Sequence, residues 1–299
     1  MPYRTLGRTG VRVSDPSFGL ATAPQQVSYH DVLRVWREAD TIPQIEHAWL
    51  FDHLMPIGGD PDGPVFEGWT LLSALAAQTE RLRLGLLVTS NRFRPPAVLA
   101  KIATTVDIVS GGRLDFGIGA GSRPSIPWAR REYEAHGLPY HDFAHSVGSL
   151  AEACTVIRRL WTDDKPFDFD GTYVHLTGAF GNPKPVQRPH PPIVIGGHSA
   201  AAYRRAVTTA DGWYGVYLDP GQAARALSEL RQVAAGCERP ARLGDLEITI
   251  TPPGRVDAAT ARQYADIGVH RLVLQPVTED GSDMEDLIES AGQTLVGRI

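Results

Sequence analysis

Apolar residues along this chain follow two rhythms. Short unbroken runs such as Leu84–Val88 and Ile193–Ile195 read as strands buried on both faces. Longer stretches between them repeat their apolar positions every three or four residues, the spacing of amphipathic helices. The predicted order opens with a strand at Phe18–Ala23. A helix follows, capped by Ser28, with Val32, Leu33, Val35 and Trp36 facing inward. A second strand, His47–Phe51, ends in Asp52-His53. It leads through the Gly- and Pro-rich loop Met55–Pro64 to a helix at Phe66–Gln78. Leu82–Val88 and Leu114–Ile118 are the third and fourth strands, with a helix at Ala97–Val109 between them. Gly111-Gly112 supplies the left-handed turn that ends that helix.

The regular alternation then breaks. Ser122–Tyr140 is interrupted by prolines, has few periodic apolar residues and reads as irregular chain. Phe143–Leu160 is strongly helical, and Phe167–Leu176 reads as a hairpin around Asp170-Gly171. Asn182–Pro192 holds five prolines and must be an extended crossing. Strands at Ile193–Ile195, Trp213–Tyr217, Leu246–Thr251 and Arg271–Gln275 then alternate with helices at Ser199–Thr208, Pro220–Ala235, Ala258–Ile267 and Met284–Val296. Eight strand–helix pairs predict an α/β fold, a closed parallel (β/α)8 TIM barrel forming one domain over residues 1–299. Residues 1–15 are an N-terminal hairpin extension, and residues 122–192 are an insertion after the fourth strand.

Composition narrows the partners. The 299 residues are 42% hydrophobic and carry a net charge of −5, enough apolar side chain for a large core and no pull toward nucleic acid or an anionic membrane. No apolar run approaches the ~20 residues of a membrane span. Arg4, Arg8 and Arg12 precede no apolar segment of a signal peptide. Cys154 and Cys237 lie far apart without a CxxC partner, as expected of free thiols in a cytoplasmic protein. His141 and His145 stand four apart with no third ligand nearby, so no metal is expected. A small-molecule or peptide substrate fits this balance, and the chain leaves room for a homodimer.

In a parallel barrel the chemistry lies at the C-terminal ends of the strands. Asp52-His53 is the ionisable pair there, able to anchor a ring or move a proton, or else to make a structural hydrogen bond at the rim. The third strand ends in Val88, Thr89, Ser90 and Asn91, and the fourth in Gly119, Ala120, Gly121 and Ser122. Gly196-Gly197-His198-Ser199 runs from a strand straight into a helix. Bare backbone N–H groups at a helix start suit a phosphate, while the plain alternative is a tight turn capped by Ser199. Gly117–Gly121 has a GxGxG pattern but lacks the acidic residue about twenty positions on that a dinucleotide fold needs. Tyr217 ends the sixth strand.

Several of these segments together carry a resemblance. Trp49–His53, Asp60–Pro64, Glu67–Thr70, Thr79–Gly85, Pro95–Lys101, Asp107–Gly121, Asn182–Gly197 and Ala210–Trp213 resemble, in order, the luciferase-like family. Members bind FMN or coenzyme F420, an 8-hydroxy-5-deazaflavin. Phe51-Asp52-His53, the Asp60–Pro64 loop and Thr89-Ser90-Asn91 look most like the F420-dependent branch. The resemblance implies a ring lying across the barrel mouth, backed by a bulge with a non-proline cis peptide near Val88–Ser90. It also implies a phosphate at Gly196–Ser199 and ring contacts from Asp52 and His53. The implied activity is hydride transfer from F420H2 to an activated C=C or C=N bond. His53 is the first choice of proton donor, and Tyr217 the second. An FMN-dependent monooxygenase, or a cofactor-binding barrel without turnover, are the alternatives.

Two departures qualify the match. Relatives often carry Trp and Glu directly after the fourth-strand glycines. Here Ser122–Pro127 stands instead, with Glu132 and Glu134 further on, so an acid at that point is missing or displaced. Tyr3–Ser14 resembles the opening hairpin of aldo-keto reductases, which closes the barrel floor. That family's ordered Asp–Tyr–Lys–His set is absent, so NADPH is not implied.

Overall fold

The computed structural model describes residues 3–5, 12–14, 16–123, 125–139 and 141–275. Strands β1 (Tyr3–Thr5) and β2 (Arg12–Ser14) pair antiparallel. Then follow β3 (Ser17–Thr22), α1 (Tyr29–Thr41), β4 (Ile45–Leu50), α2 (Gly68–Ala76), β5 (Arg83–Leu86), β6 (Thr89–Ser90), α3 (Pro96–Val109) and β7 (Leu114–Gly119). A middle section holds α4 (Pro127–Ala135), α5 (Phe143–Thr162) and the hairpin β8 (Phe167–Asp170) and β9 (His175–Ala179). The chain returns through β10 (Ile193–Gly196), α6 (Ala200–Thr209), β11 (Gly212–Val216), α7 (Pro220–Ala235), β12 (Glu247–Thr251), α8 (Ala258–Asp266) and β13 (Arg271–Leu274).

Eight parallel strands close on themselves in the order β3, β4, β5, β7, β10, β11, β12, β13 and back to β3. The expected closed (β/α)8 barrel is the fold observed, with strand and helix ends displaced by one to three residues. Ser28 caps α1 by accepting from the Asp31 N–H, and Gly111 and Gly112 take positive φ beyond α3. The helix expected at Met284–Val296 lies outside the described residues. One expectation is overturned. Residues 122–140 are not irregular throughout, because Pro127–Ala135 forms α4 with Ala129, Glu132 and Tyr133 buried.

Alternation along the strands sorts side chains into two cores. Phe18, Leu20, Leu84, Leu86, Phe116, Ile118, Ile193, Ile195, Ile248 and Ile250 face the helices and pack with Trp36, Trp69 and Trp161. The barrel interior is more polar. Arg83 and Arg271 both bind the buried Asp115 carboxylate, Arg271 through Nη1 at 2.7 Å. Burial would raise that carboxyl, but Arg271 and Arg83 hold it down at about 2. This buried charge cluster uses residues from the N-terminal halves of β5, β7 and β13. The opposite end of the barrel carries the loops in which the candidate residues lie.

Candidate active site

Asp52 and His53 leave β4 side by side, yet they serve different walls. Consecutive residues at a strand end project to opposite sides. The fully buried Asp52 carboxylate accepts from Arg94 Nη1 at 2.7 Å and Nη2 at 3.0 Å, and from the Thr89 hydroxyl. Arg94 also grips Glu67, whose side chain caps α2 by accepting from the Trp69 and Thr70 N–H groups. Burial works against the Arg94 charge, but Asp52 and Glu67 more than offset it. Asp52 thus fastens β4 to β6 and to the start of α2.

His53 turns to the mouth. Its Nδ1 lies 3.1 Å from both Glu132 carboxylate oxygens, and Glu132 Oε1 accepts from the Leu54 N–H at 2.6 Å. The Glu132 side chain is 1% exposed and that of His53 18%. The acid on the imidazole is therefore Glu132, contributed by α4, and not the neighbouring Asp52. Phe51, Phe93 and Trp128 meet the His53 ring at steep angles, with centroids 5.5, 6.5 and 5.1 Å away. Among the described residues Nε2 has no hydrogen-bond partner. Sequence reasoning noted Glu132 only as an acid further along. The signal was present: Trp128, Ala129, Glu132 and Tyr133 form a helical stripe behind Pro127 at the first helical turn.

The next wall comes from β5 and β7. The Leu87–Val88 peptide is cis, and the chain resumes pairing with β7 through Thr89 and Ser90. Val88 lies over two glycines. A Cβ on Gly119 would come 2.8 Å from Val88 Cγ2, and one on Gly196 would come 3.4 Å from it. Missing side chains on β7 and β10 therefore leave the half-buried Val88 as an apolar platform at the mouth. Thr89 is spent on Asp52 and on Trp69 Nε1, which donates at 3.1 Å. Ser90 Oγ lies 3.2 Å from the Tyr133 hydroxyl. Asn91 Nδ2 donates to Ser149 Oγ at 3.1 Å, while its buried Oδ1 has no partner among the described residues. Gly121 has φ +82°, and a Cβ there would strike Ser90, Arg92 and Tyr133 within 2.8 Å. Ala120 is partly buried between these glycines.

Gly196, Gly197, His198 and Ser199 join β10 to α6. Gly197 has φ +120°, a conformation L side chains rarely adopt, and its carbonyl accepts from Trp213 Nε1 at 2.8 Å. Ser199 caps α6 by accepting from the Ala202 N–H. The ring of His198 stands edge-on to Trp213, and burial lowers its pKa. Tyr217 follows β11, four strands from β4 in either direction, and so stands on the opposite wall from His53. It has φ +53°, is 57% exposed, and donates its hydroxyl to Gln275 Oε1 at 3.2 Å. The structure thus gathers Val88–Asn91, Gly119–Gly121 and Gly196–Ser199 along three neighbouring strands, with His53 and Tyr217 following strands on opposite sides of the barrel.

Among the described residues no group of three or more His, Cys, Asp or Glu is arranged to hold a metal. No described helix is long and apolar enough to cross a membrane.

Known proteins share this fold. The model of the luciferase-like monooxygenase family matches residues 10–285, and the chain belongs to that family. An uncharacterized protein of Mycobacterium tuberculosis is 34% identical over 216 residues, 72% of this chain and 67% of that one. The FMNH2-dependent dimethylsulfone monooxygenase of Pseudomonas putida is 32% identical over 148 residues, 50% of this chain and 38% of the relative. Among solved structures, an F420-dependent secondary alcohol dehydrogenase superposes with a TM-score of 0.77. Its identity is 17%, over 93% of this chain and 98% of that one, which establishes a shared fold.

Proposed function

We propose that this protein is an oxidoreductase that uses coenzyme F420, with F420H2 reducing an activated C=C or C=N bond of an organic substrate. The observation that carries this reading is the buried Glu132 carboxylate on His53 Nδ1, beside the Val88 platform. The residues present fit such a cofactor. Among the described residues Asn91 Oδ1 is a buried acceptor without a partner, half-buried Val88 over Gly119 offers an apolar surface, and Gly197 exposes backbone at the start of α6. Val88–Asn91 and Gly119–Gly121 would hold the ring, and Gly196–Ser199 the phosphate. Asp52 supports this frame through Thr89 and Arg94.

When bound, the reduced deazaflavin supplies a hydride from carbon 5. The chain's part is to orient and to protonate. Glu132 orients the His53 ring through Nδ1, which leaves Nε2 turned to the mouth. Nε2 is then the nitrogen that carries the mobile proton toward substrate. Phe51, Phe93 and Trp128 keep water from the flanks of the ring. Tyr217, on the opposite wall, is the second candidate donor.

One observation favours a second reading, FMN-dependent monooxygenation. The Pseudomonas putida relative is an FMNH2-dependent enzyme, and the same backbone loop would take its phosphate. Anaerobic oxidation of F420H2 against a panel of enones and imines separates the two. Substrate-dependent oxidation without oxygen supports the reductase. Oxygen-dependent product formation with FMNH2, and none with F420H2, would replace it.

A further inference from the structure

Four consecutive residues after β6 reach different walls of the mouth. Asn91 bonds Ser149 on α5. Phe93 packs against the rings of His53 and Tyr133. Arg94 holds Asp52 and Glu67. Arg92 acts on the base of the segment that carries α4. Its Nη1 donates to the Ser122 carbonyl at 3.3 Å and its Nη2 to the His141 carbonyl at 2.6 Å. Those carbonyls are the two ends of the segment, so one planar guanidinium closes a loop of about twenty residues. The Arg92 Cζ also lies 4.6 Å from the centroid of the Tyr133 ring, and the Arg92 backbone N–H donates to Ser90 Oγ at 3.2 Å.

Helix α4 is held by side-chain contacts to its surroundings: Arg131 donates to the Pro61 carbonyl at 2.7 Å and pairs with Asp62, and the Tyr133 hydroxyl lies 3.2 Å from Ser90 Oγ. The helix has nine residues and no side-chain hydrogen bond at its N-cap, and helices this short gain most of their stability from packing. Positive-φ glycines, Gly121 and Gly137, flank it. Yet Glu132 must arrive with an oxygen 2.6 Å from the Leu54 N–H and both oxygens 3.1 Å from His53 Nδ1. A displacement of about 0.5 Å would carry the His53 contacts beyond hydrogen-bond range, and about 1 Å the Leu54 bond.

We propose that Arg92 is a positioning residue: by tying Ser122 to His141 it sets α4 at the depth from which Glu132 reaches His53. This rests on the reading of His53 and Glu132 given above. The proposed route of its effect is the loop base and the Tyr133 ring.

The test uses the full chain with Arg92→Met, which keeps the stem and removes both carbonyl bonds, and Arg92→Lys, which serves one carbonyl at most. Hydrogen exchange is read at the Leu54 amide, and the imidazole nitrogen resonances of His53 are followed in histidine-labelled protein. Arg92→Met is expected to speed Leu54 exchange at least tenfold and to move the His53 Nδ1 resonance toward that of a free imidazole. Exchange at Ile250 in β12 should stay within twofold, which a general loss of stability would not allow. Arg92→Lys should speed Leu54 exchange about threefold. Parent-like Leu54 exchange and an unmoved His53 resonance in Arg92→Met overturn the proposal. Should that variant not fold, parent-like values in Arg92→Lys overturn it equally. These signals do not depend on turnover. If they move while Glu132→Gln leaves turnover unchanged, the functional reading fails and the brace stands. If Glu132→Gln slows turnover while the Arg92 variants leave the signals in place, the brace fails alone.

Discussion

His53 and Glu132 are separated by 79 positions, yet the Nδ1 of one lies 3.1 Å from both carboxylate oxygens of the other. The pair is asymmetric in exposure, with the acid sealed and the imidazole edge open. The proposed role of His53 as proton carrier rests on this arrangement, with the carboxylate orienting the ring. Replacing Glu132 by Gln preserves shape and can still accept from the Leu54 N–H, but it takes one carboxylate oxygen away from His53 Nδ1. The expected result is a hydride-transfer rate lowered by about 10²–10³ at saturating cofactor, since a positioned acid typically contributes ~10²–10⁴. Cofactor affinity should stay within threefold. Single-turnover kinetics with the best substrate from the panel make the comparison. A parallel fall in rate and affinity would assign the pair to binding instead.

Gly197 tests the phosphate loop. A valine there blocks backbone approach, but φ +120° and Ala202 Cβ at 3.0 Å from an added Cβ mean the change also strains the chain. Gly197→Ala is therefore expected to cost about 1–2 kcal/mol of stability as well as cofactor affinity. Chemical denaturation and a binding titration on the same variant read both. Unchanged stability would contradict the backbone assignment, and unchanged affinity the site.

The Asp115 cluster gives a pH signature. A carboxyl held at about 2 by Arg271 and Arg83, against the opposing effect of burial, is depressed relative to the unfolded chain. Its contribution is present in full above the unfolded value near 3.9, and is lost as pH falls from there through about 2. Asp115→Asn leaves two buried guanidinium groups facing each other and should destabilise by about 3–5 kcal/mol. The loss of stability between pH 4 and 2 should be shallower in that variant. Denaturant midpoints measured across that range decide it.

The two thiols should separate by reactivity. Burial pushes Cys154 up to about 11, while Cys237 is half-buried near the surface. A thiol-specific reagent at pH 8 should modify Cys237 in the native protein and reach Cys154 only on unfolding. Mass spectrometry of the modified chain identifies the site, and rapid labelling of Cys154 would contradict its burial.

Much of the fold was legible because parallel barrel strands are buried on both faces and leave continuous apolar runs, as at Leu84–Leu86 and Ile193–Ile195. The strand-end glycines were legible for the same reason, since they break those runs. Helix α4 was not, because its buried face includes Glu132, a charged residue that breaks apolar periodicity directly after Arg130 and Arg131 of its solvent face. The partner of His53 was hidden with it. Adjacent Asp52 was the natural candidate by sequence, but strand alternation sends it to Arg94 instead. Nothing in the local pattern of Arg92 or Arg94 shows which carbonyls and carboxylates they will meet, because those contacts span 27 to 49 positions.

The most direct test of the central claim, that this mouth is built for a deazaflavin, is a fluorescence titration of the purified chain with F420 and with FMN in parallel. Saturable quenching of F420, weakened at least tenfold by Gly197→Val, with no comparable binding of FMN, is the predicted result. Tight FMN binding with none of F420 would contradict it, and would make the protein a flavin monooxygenase of the same fold.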